Sequence, residues 1–115
     1  MAKNDNRVTL QTLMKKVVNL GYVGENLHSR LIIDCSTLLY DYPQAEVLLK
    51  VRYPGDETIS EPEIVLSGDN VIWTLTSQEL TKQGDGQYQL TFTSGNEVIR
   101  SGIGFFHINA SLLHT

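Results

Sequence analysis

The sequence predicts a mostly β protein: an antiparallel, immunoglobulin-like β-sandwich with a short N-terminal arm or helix. Two observations carry this prediction. Apolar and polar residues alternate in several short runs, with the period of two that half-buried strands show. Turn signals rich in Gly, Pro, Asn and Asp separate these runs. About six or seven strands are expected, a number typical of an antiparallel sandwich.

The chain length sets the domain organisation. A chain of 115 residues fits one domain and has little room for a second. We divide it into an N-terminal arm at residues 1–20 and a β-sandwich domain at residues 21–115. The first six residues are polar, and we expect them to be disordered or adaptable.

The arm carries an apolar stripe that makes it a candidate docking segment. Between Thr9 and Val18, apolar residues recur at helical spacing, namely Leu10, Leu13, Met14, Val17 and Val18. Thr9 could cap a helix here and Gly21 could end it. In the competing interpretation, residues 16–23 form a strand. A short helix or mixed segment is favoured, and whether residues 9–20 are helix or strand stays open. The stripe either docks on a partner or packs on its own domain.

The strand pattern begins after residue 26. Residues 29–35 form a β-rich run, and residues 36–40 could form one helical turn. The clearest strand is 45–53, where alternate residues are apolar and the others are mostly charged. Leu48 interrupts its polar face, and a neighbouring segment could cover it.

Two hairpins follow. Residues 62–66 and 71–76 flank a compact connection at 67–70. The alternating strand 87–93 leads through a second turn at 94–97 into the run 98–108. Four residues of these strands are the expected core signature: Trp73, Tyr88, Leu90 and Phe92.

Charge and hydropathy exclude several partner classes. The formal net charge is -4 and the basic residues are scattered, which disfavours nucleic acid. No run reaches the ~20 apolar residues of a membrane span. The polar N-terminus lacks the apolar stretch of a signal peptide, so we expect a soluble protein made in a cytoplasm.

No set of residues in the sequence has the spacing of a catalytic or metal site. The histidines at 28, 107 and 114 lack zinc-site spacing, and His28 and His114 are expected to be exposed. Cys35, the single cysteine, is expected to be a buried apolar residue. The carboxylates of Glu61 and Glu63 are interpreted as solvated edge charges. We therefore expect no enzyme activity, no metal and no cofactor.

An ordered set of short motifs spans about residues 21–112. In chain order it reads Gly24-Glu25-Asn26, Leu31-Ile32-Ile33-Asp34, Tyr42-Pro43, Arg52-Tyr53-Pro54-Gly55-Asp56, Val71-Ile72-Trp73-Thr74-Leu75-Thr76, Leu80-Thr81, Gly84-Asp85-Gly86-Gln87-Tyr88-Gln89-Leu90 and Val98-Ile99-Arg100-Ser101. The set resembles the small β-sandwich modules of tailed-bacteriophage structural proteins. Such modules occur in head-fibre proteins and in the N-terminal domains of upper baseplate proteins.

The resemblance implies a non-catalytic virion protein that assembles with phage capsid or tail proteins and is often an oligomer. Fibre and baseplate relatives usually continue into further segments, whereas this sequence stops at Thr115. We therefore expect a capsid decoration protein, a head-fibre base or a head or tail adaptor, made in the host cytoplasm. The alternative is a carbohydrate- or cell-surface-binding module, in which Trp73 and tyrosines at positions 22, 40, 42 and 53 would stack on a surface glycan.

Overall fold

The computed structural model describes residues 3–112 and contains nine strands, one α-helix and one 3-10 helix within that range. In chain order the elements are β1 (Asn4–Thr9), the 3-10 helix (Leu13–Lys15), β2 (Val17–Tyr22), β3 (Ser29–Asp34), α1 (Ser36–Asp41), β4 (Glu46–Arg52), β5 (Val65–Ser67), β6 (Asn70–Thr74), β7 (Gly84–Ser94), β8 (Glu97–Arg100) and β9 (Gly104–Asn109). No helix within residues 3–112 is long and apolar enough to cross a membrane.

The strands form two sheets that pack face to face, which confirms the predicted β-sandwich. The four-stranded sheet has the order β1-β3-β6-β5, and the five-stranded sheet has the order β2-β9-β7-β4, with β8 also paired to β7. The sheets are mixed rather than purely antiparallel. β1 runs parallel to β3, and β2 runs parallel to β9. The antiparallel prediction is therefore wrong for these two pairs, because parallel pairing joins segments distant in sequence and leaves no hairpin signal.

Residues 4–22 belong to both sheets. β1 lies at an edge of the four-stranded sheet, and β2 lies at an edge of the five-stranded sheet. Residues 10–16, with the 3-10 helix, carry the chain from one sheet to the other. The expected boundary at residue 20 thus falls inside β2. The expectation of a disordered N-terminal arm is also corrected for residues 4–6, because main-chain pairing with β3 does not require apolar side chains.

The short helix expected between Thr9 and Val18 is reduced to one 3-10 turn at Leu13–Lys15. The alternative of a strand within 16–23 is confirmed by β2, so the mixed interpretation describes this segment best. Residues 1, 2 and 113–115 lie outside the described part of the chain. The structure therefore does not describe the first two residues of the expected arm or the last three of the expected sandwich. The expected exposure of His114 falls in the second of these segments.

The hairpin predictions are confirmed. β5 and β6 pair across Gly68-Asp69, and β7 and β8 pair across Gly95-Asn96. Gly68 and Gly95 both have a φ of 60°, a conformation that glycine adopts without a steric penalty. The predicted helical turn at 36–40 is α1, and the carboxylate of Asp34 accepts a hydrogen bond from the Ser36 amide at 2.9 Å at its start.

The run 98–108 forms two strands rather than one. β8 and β9 both pair with β7, and residues 101–103 separate them. The side chain of Ser101 replaces the missing ladder contacts: its hydroxyl accepts the Leu90 amide at 3.0 Å and donates to the Gly102 carbonyl at 2.8 Å. β8 and β9 are therefore two parts of one side of the same sheet, joined by a hydrogen-bonded segment at residues 101–103.

The core lies between the sheets. Trp73 and Phe106 pack edge to face with ring centroids 6.0 Å apart, and Tyr53 lies on the other side of Trp73 at 6.3 Å. The Phe106 ring packs directly on Gly86, where a Cβ would also meet the Arg52 carbonyl oxygen at 2.7 Å. Glycine at position 86 is what lets the Phe106 ring approach the backbone of β7 so closely.

Candidate functional site

The five-stranded sheet presents a broad outer surface, which we call the outer face. Strand register aligns its side chains into rows, because directly paired residues point to the same side of a sheet. One row crosses β2, β9, β7 and β4 and extends to the segment beside β4. It contains Val17, Phe105, Gln87, Arg52 and Ile59, the last from the segment whose Ser60 bridges Val51 at the β4 edge.

The outer face is rich in exposed apolar side chains. Six of them belong to it: Val17, Leu48, Ile59, Val98, Ile103 and Phe105, with 40–62% of each exposed. Between Ile59 and Ile103 lies a shallow depression of about 210 Å³, whose rim includes Lys50 and Arg52. Contiguous exposed apolar surface of this kind commonly marks a protein interaction site.

Charged groups on the outer face fall into paired and unpaired sets. Lys50 forms an ion pair with Glu61 at 3.0 Å, and His107 Nδ1 lies 2.8 Å from Asp85 Oδ1. Glu46 and Arg52, at the two ends of β4, and Arg100 of β8 point outwards and form no ion pair with any residue that the structure describes. Their charges are therefore available to a partner.

The exterior of the four-stranded sheet carries an ion pair between Arg30 and Asp5. Arg30 donates two hydrogen bonds to the Asp5 carboxylate, at 2.8 and 2.7 Å, from β3 to β1. The hydrogen bonds from the guanidinium hold the pKa of Asp5 below its ordinary value.

A cavity of about 580 Å³ lies beside β5 and β6, at the edge of the four-stranded sheet. Leu27, Ile64 and Val65 contribute apolar walls, and three glutamates contribute carboxylates. Two of these carboxylates have partners, since Glu61 pairs with Lys50 and Glu79 accepts a hydrogen bond from the Thr76 hydroxyl at 2.8 Å. Leu27 has a φ of 60°, a strained conformation for a leucine.

The predicted docking stripe divides between the core and the surface. Leu13 and Val18 are buried in the sandwich, and Leu10 packs against the core. Met14 and Val17 are exposed, at 53% and 62%. Of these five residues, the structure therefore brings only Val17 into the outer-face row. The five do not form one face of a helix, because the segment is a 3-10 turn followed by a strand.

All four residues of the predicted core signature, Trp73, Tyr88, Leu90 and Phe92, are at most 1% exposed. Burial raises the pKa of the Tyr88 hydroxyl to about 12. Neither this hydroxyl nor the Trp73 indole nitrogen has a hydrogen-bond partner within the described chain. These residues stabilise the domain and do not face a ligand.

The groups that could carry chemistry have structural roles in this fold. Cys35 is fully buried, and burial together with the neighbouring Asp34 carboxylate raises its thiol pKa to about 12. Ser101 is occupied in backbone hydrogen bonds. No cluster of three or more His, Cys, Asp or Glu side chains suited to a metal ion occurs within residues 3–112. His28 is partly buried rather than exposed as expected.

The residues of the predicted sugar-stacking platform are not brought together. Trp73 is fully buried and presents no face to a sugar ring. The Tyr42 hydroxyl donates to Glu97 at 3.0 Å, at the end of the sandwich where β4 begins, and the exposed Tyr40 lies in the adjoining α1. Tyr22 ends β2 at the opposite end, and Tyr53 packs on Trp73.

The outer face was missed by sequence reasoning, although one signal for it was present. Leu48 stands among charged residues on the exposed side of β4, and the structure leaves 48% of it exposed instead of covering it. The other members of the apolar surface come from four separate segments. Only strand register brings these segments into neighbouring rows.

Comparison with known proteins identifies a solved structure with a similar fold. No protein-family model and no curated protein matches the chain. Among solved structures, the fold is similar to that of the N-terminal domain of phage TP901-1 ORF48, with a TM-score of 0.55 and 11% sequence identity. The similarity covers 96% of this chain and 99% of that chain, so it extends over the whole sandwich.

Proposed function

We propose that this domain is a non-catalytic structural component of a tailed-bacteriophage virion and acts by protein–protein assembly. One observation carries the proposal: the whole chain is similar in fold to a phage protein domain, with coverage of 96% and 99% of the two chains. The ordered motifs from Gly24-Glu25-Asn26 to Val98-Ile99-Arg100-Ser101 point independently to the same class of protein. Fold alone does not define function, so the surface chemistry must agree with the proposal.

The surface chemistry supports assembly. The outer face combines exposed apolar residues with unpaired charges of both signs, as protein interfaces commonly do. The side chains that could react with a small substrate have other surroundings. Cys35 is buried, the Ser101 hydroxyl is hydrogen-bonded to the backbone between β8 and β9, and His107 pairs with Asp85. These features favour recognition of another folded protein over a reaction with a small substrate.

Within the virion we propose a capsid decoration protein, a head-fibre base or a head or tail adaptor. The similar phage structure is an N-terminal domain, which favours a base or adaptor that other virion parts attach to. On this assignment, the protein is made in the host cytoplasm and is then incorporated into the particle.

The test is quantitative mass spectrometry of gradient-purified particles from the phage that encodes this chain, with the major capsid protein as the internal standard. A fixed ratio to the capsid protein is expected. Hundreds of copies per particle would indicate head decoration, and a handful would indicate a vertex, neck or tail position. An abundant non-virion phage protein serves as the contamination control. If the chain co-purifies no better than that control, the virion assignment is wrong.

A further inference from the structure

Two rows of side chains on the outer face are complementary to each other. At one end, strand register aligns Phe105 of β9, Gln87 of β7 and Arg52 of β4 in a row, which we call the basic row. It presents an aromatic ring, a neutral polar group and a cation, in that order across the sheet.

At the other end a second row has the same order with the opposite charge. Val98 of β8, Thr93 of β7 and Glu46 of β4 are directly paired, and we call them the acidic row. Both rows lie three residues from Leu90 along β7, one on each side. A two-fold axis that lies above the outer face, parallel to the sheet and perpendicular to the strands at Leu90, therefore places each row of one copy against the other row of a second copy.

The exchange matches chemistry as well as position. In two copies stacked face to face about this axis, Phe105 of one lies against Val98 of the other, and Gln87 lies against Thr93. Arg52 lies against Glu46. Each of these three contacts occurs twice, as in any isologous interface. Within one chain Glu46 and Arg52 are six residues apart on one strand, about 20 Å, so they cannot pair with each other.

The face is of the order of size that a dimer needs. Five chain segments lie side by side at about 4.8 Å spacing, and β4 is about 23 Å long, so the face covers at most roughly 550 Å² in projection, since the other segments pair over shorter lengths. Its accessible area is larger than its projection because side chains project from it. A standard interface buries about 800 Å² per partner, so the expected dimer lies at the small end of stable interfaces.

We propose that two copies of this chain associate face to face through the outer faces of their five-stranded sheets, with Glu46 of each copy against Arg52 of the other. The proposal concerns the isolated domain and does not rest on the virion assignment. It accounts for the apolar residues that the fold leaves exposed and for the unpaired charges at the two ends of β4.

The test is sedimentation equilibrium of the full chain across about 1–100 μM, together with charge exchange. The wild-type protein is expected to sediment at twice its 12.9 kDa mass at the upper concentrations. Glu46→Arg and Arg52→Glu are each expected to weaken association at least about tenfold, because each places like charges in contact twice. The double variant carrying both changes is expected to regain most of the affinity, because each exchanged pair is again opposite in charge.

Matched controls separate the interface from general charge effects. Glu63→Arg and Arg7→Glu make the same charge changes on exposed residues of the four-stranded sheet and its edge, away from the outer face, and should leave association unchanged. Circular dichroism checks that every variant is folded. A wild-type chain that stays monomeric throughout overturns the proposal. A dimer that tolerates both single reversals, or that the double variant fails to restore, places the interface elsewhere and also overturns it.

Discussion

Asn6 in β1 donates its side-chain amide to the backbone oxygen of Asn19 in β2, at 3.0 Å. The bond runs from the edge of the four-stranded sheet to the edge of the five-stranded sheet. Asn4 donates to the same oxygen at 3.2 Å. Two polar side chains thus connect the sheets on the side of the sandwich where β1 and β2 meet. They also occupy an oxygen that an open sheet edge would offer to other chains.

Replacing Asn6 by Ala should lower the free energy of unfolding by about 1 kcal/mol, the typical net value of one hydrogen bond. Urea denaturation monitored by circular dichroism measures the change. Gln44→Ala is the control, because Gln44 is exposed and forms no side-chain hydrogen bond within residues 3–112. Equal stability of the two variants would show that the bond between the sheets contributes nothing.

Deleting residues 1–20 should unfold the domain instead of releasing an independent arm. The deletion removes Leu13, Val18 and Leu20, which are each at most 1% exposed, along with an edge strand from each sheet. Truncating one such side chain typically costs about 2–5 kcal/mol, and total stability is only about 5–15 kcal/mol. Val17→Thr, at an exposed position of the same segment, should leave the melting temperature nearly unchanged. A truncated chain that keeps a cooperative thermal transition would contradict this prediction.

Gly86→Ala should destabilise the domain by about 1–3 kcal/mol, the usual range for overpacking a core. The added methyl group meets the Phe106 ring and the Arg52 carbonyl oxygen, and the carbonyl belongs to the paired backbone of β4. Gly68→Asn is the comparison: its Cβ meets nothing within 4 Å, and asparagine tolerates positive φ. Thermal melts of the two variants should differ clearly, with the Gly86 variant lower.

The thiol of Cys35 should be unreactive in the folded protein. Burial raises its pKa to about 12, and the thiolate is the species that reacts. Labelling with a chromogenic disulfide at pH 8 should therefore proceed only as fast as the protein opens, and should become rapid in urea. A native rate close to that of a small free thiol would mean that the site is accessible.

Stability should fall as the pH drops below about 4. The Asp5 pKa is lowered by Arg30, so below the unfolded value of about 3.9 the unfolded chain binds a proton that the folded chain still excludes. The stabilisation is complete above that value and is lost as the pH falls through the folded pKa. Asp34 adds to the same trend, because the Ser36 amide lowers its pKa. In Asp5→Asn, the free energy of unfolding measured below pH 4 should depend less on pH than in the wild-type protein. Glu57→Gln should leave that dependence unchanged.

Local patterns predicted the parts of the fold that local chemistry determines. The β5–β6 and β7–β8 hairpins follow from turn residues between alternating strands, and α1 follows from its short apolar run. β1 was not predicted, since Asn4 and Asn6 give it no alternation and its partner lies about 25 residues away. The parallel pairing of β2 with β9 joins segments almost 90 residues apart, which no local pattern encodes.

The core signature was predictable and the outer face was not, for one physical reason. Burial of Trp73 or Phe92 follows from alternation within a single strand. The outer-face rows depend on which strands become neighbours and in which register, as the alignment of Phe105 with Arg52 across β7 illustrates. Leu48 was the one visible sign, because a leucine among charged residues has no reason to lie there unless something covers it.

The pairing of β2 with β9 also has a kinetic consequence. During synthesis, β2 emerges early and must wait for nearly the whole chain before its partner strand exists. Until then Val18 and Leu20 have no finished core to enter, and the nascent chain keeps apolar surface open to chaperones or to neighbouring chains. Closing so long a loop is slow, so we expect refolding in milliseconds to seconds, as for other sandwiches with many distant contacts. Once β9 docks, the second and the last strands pair and complete the five-stranded sheet.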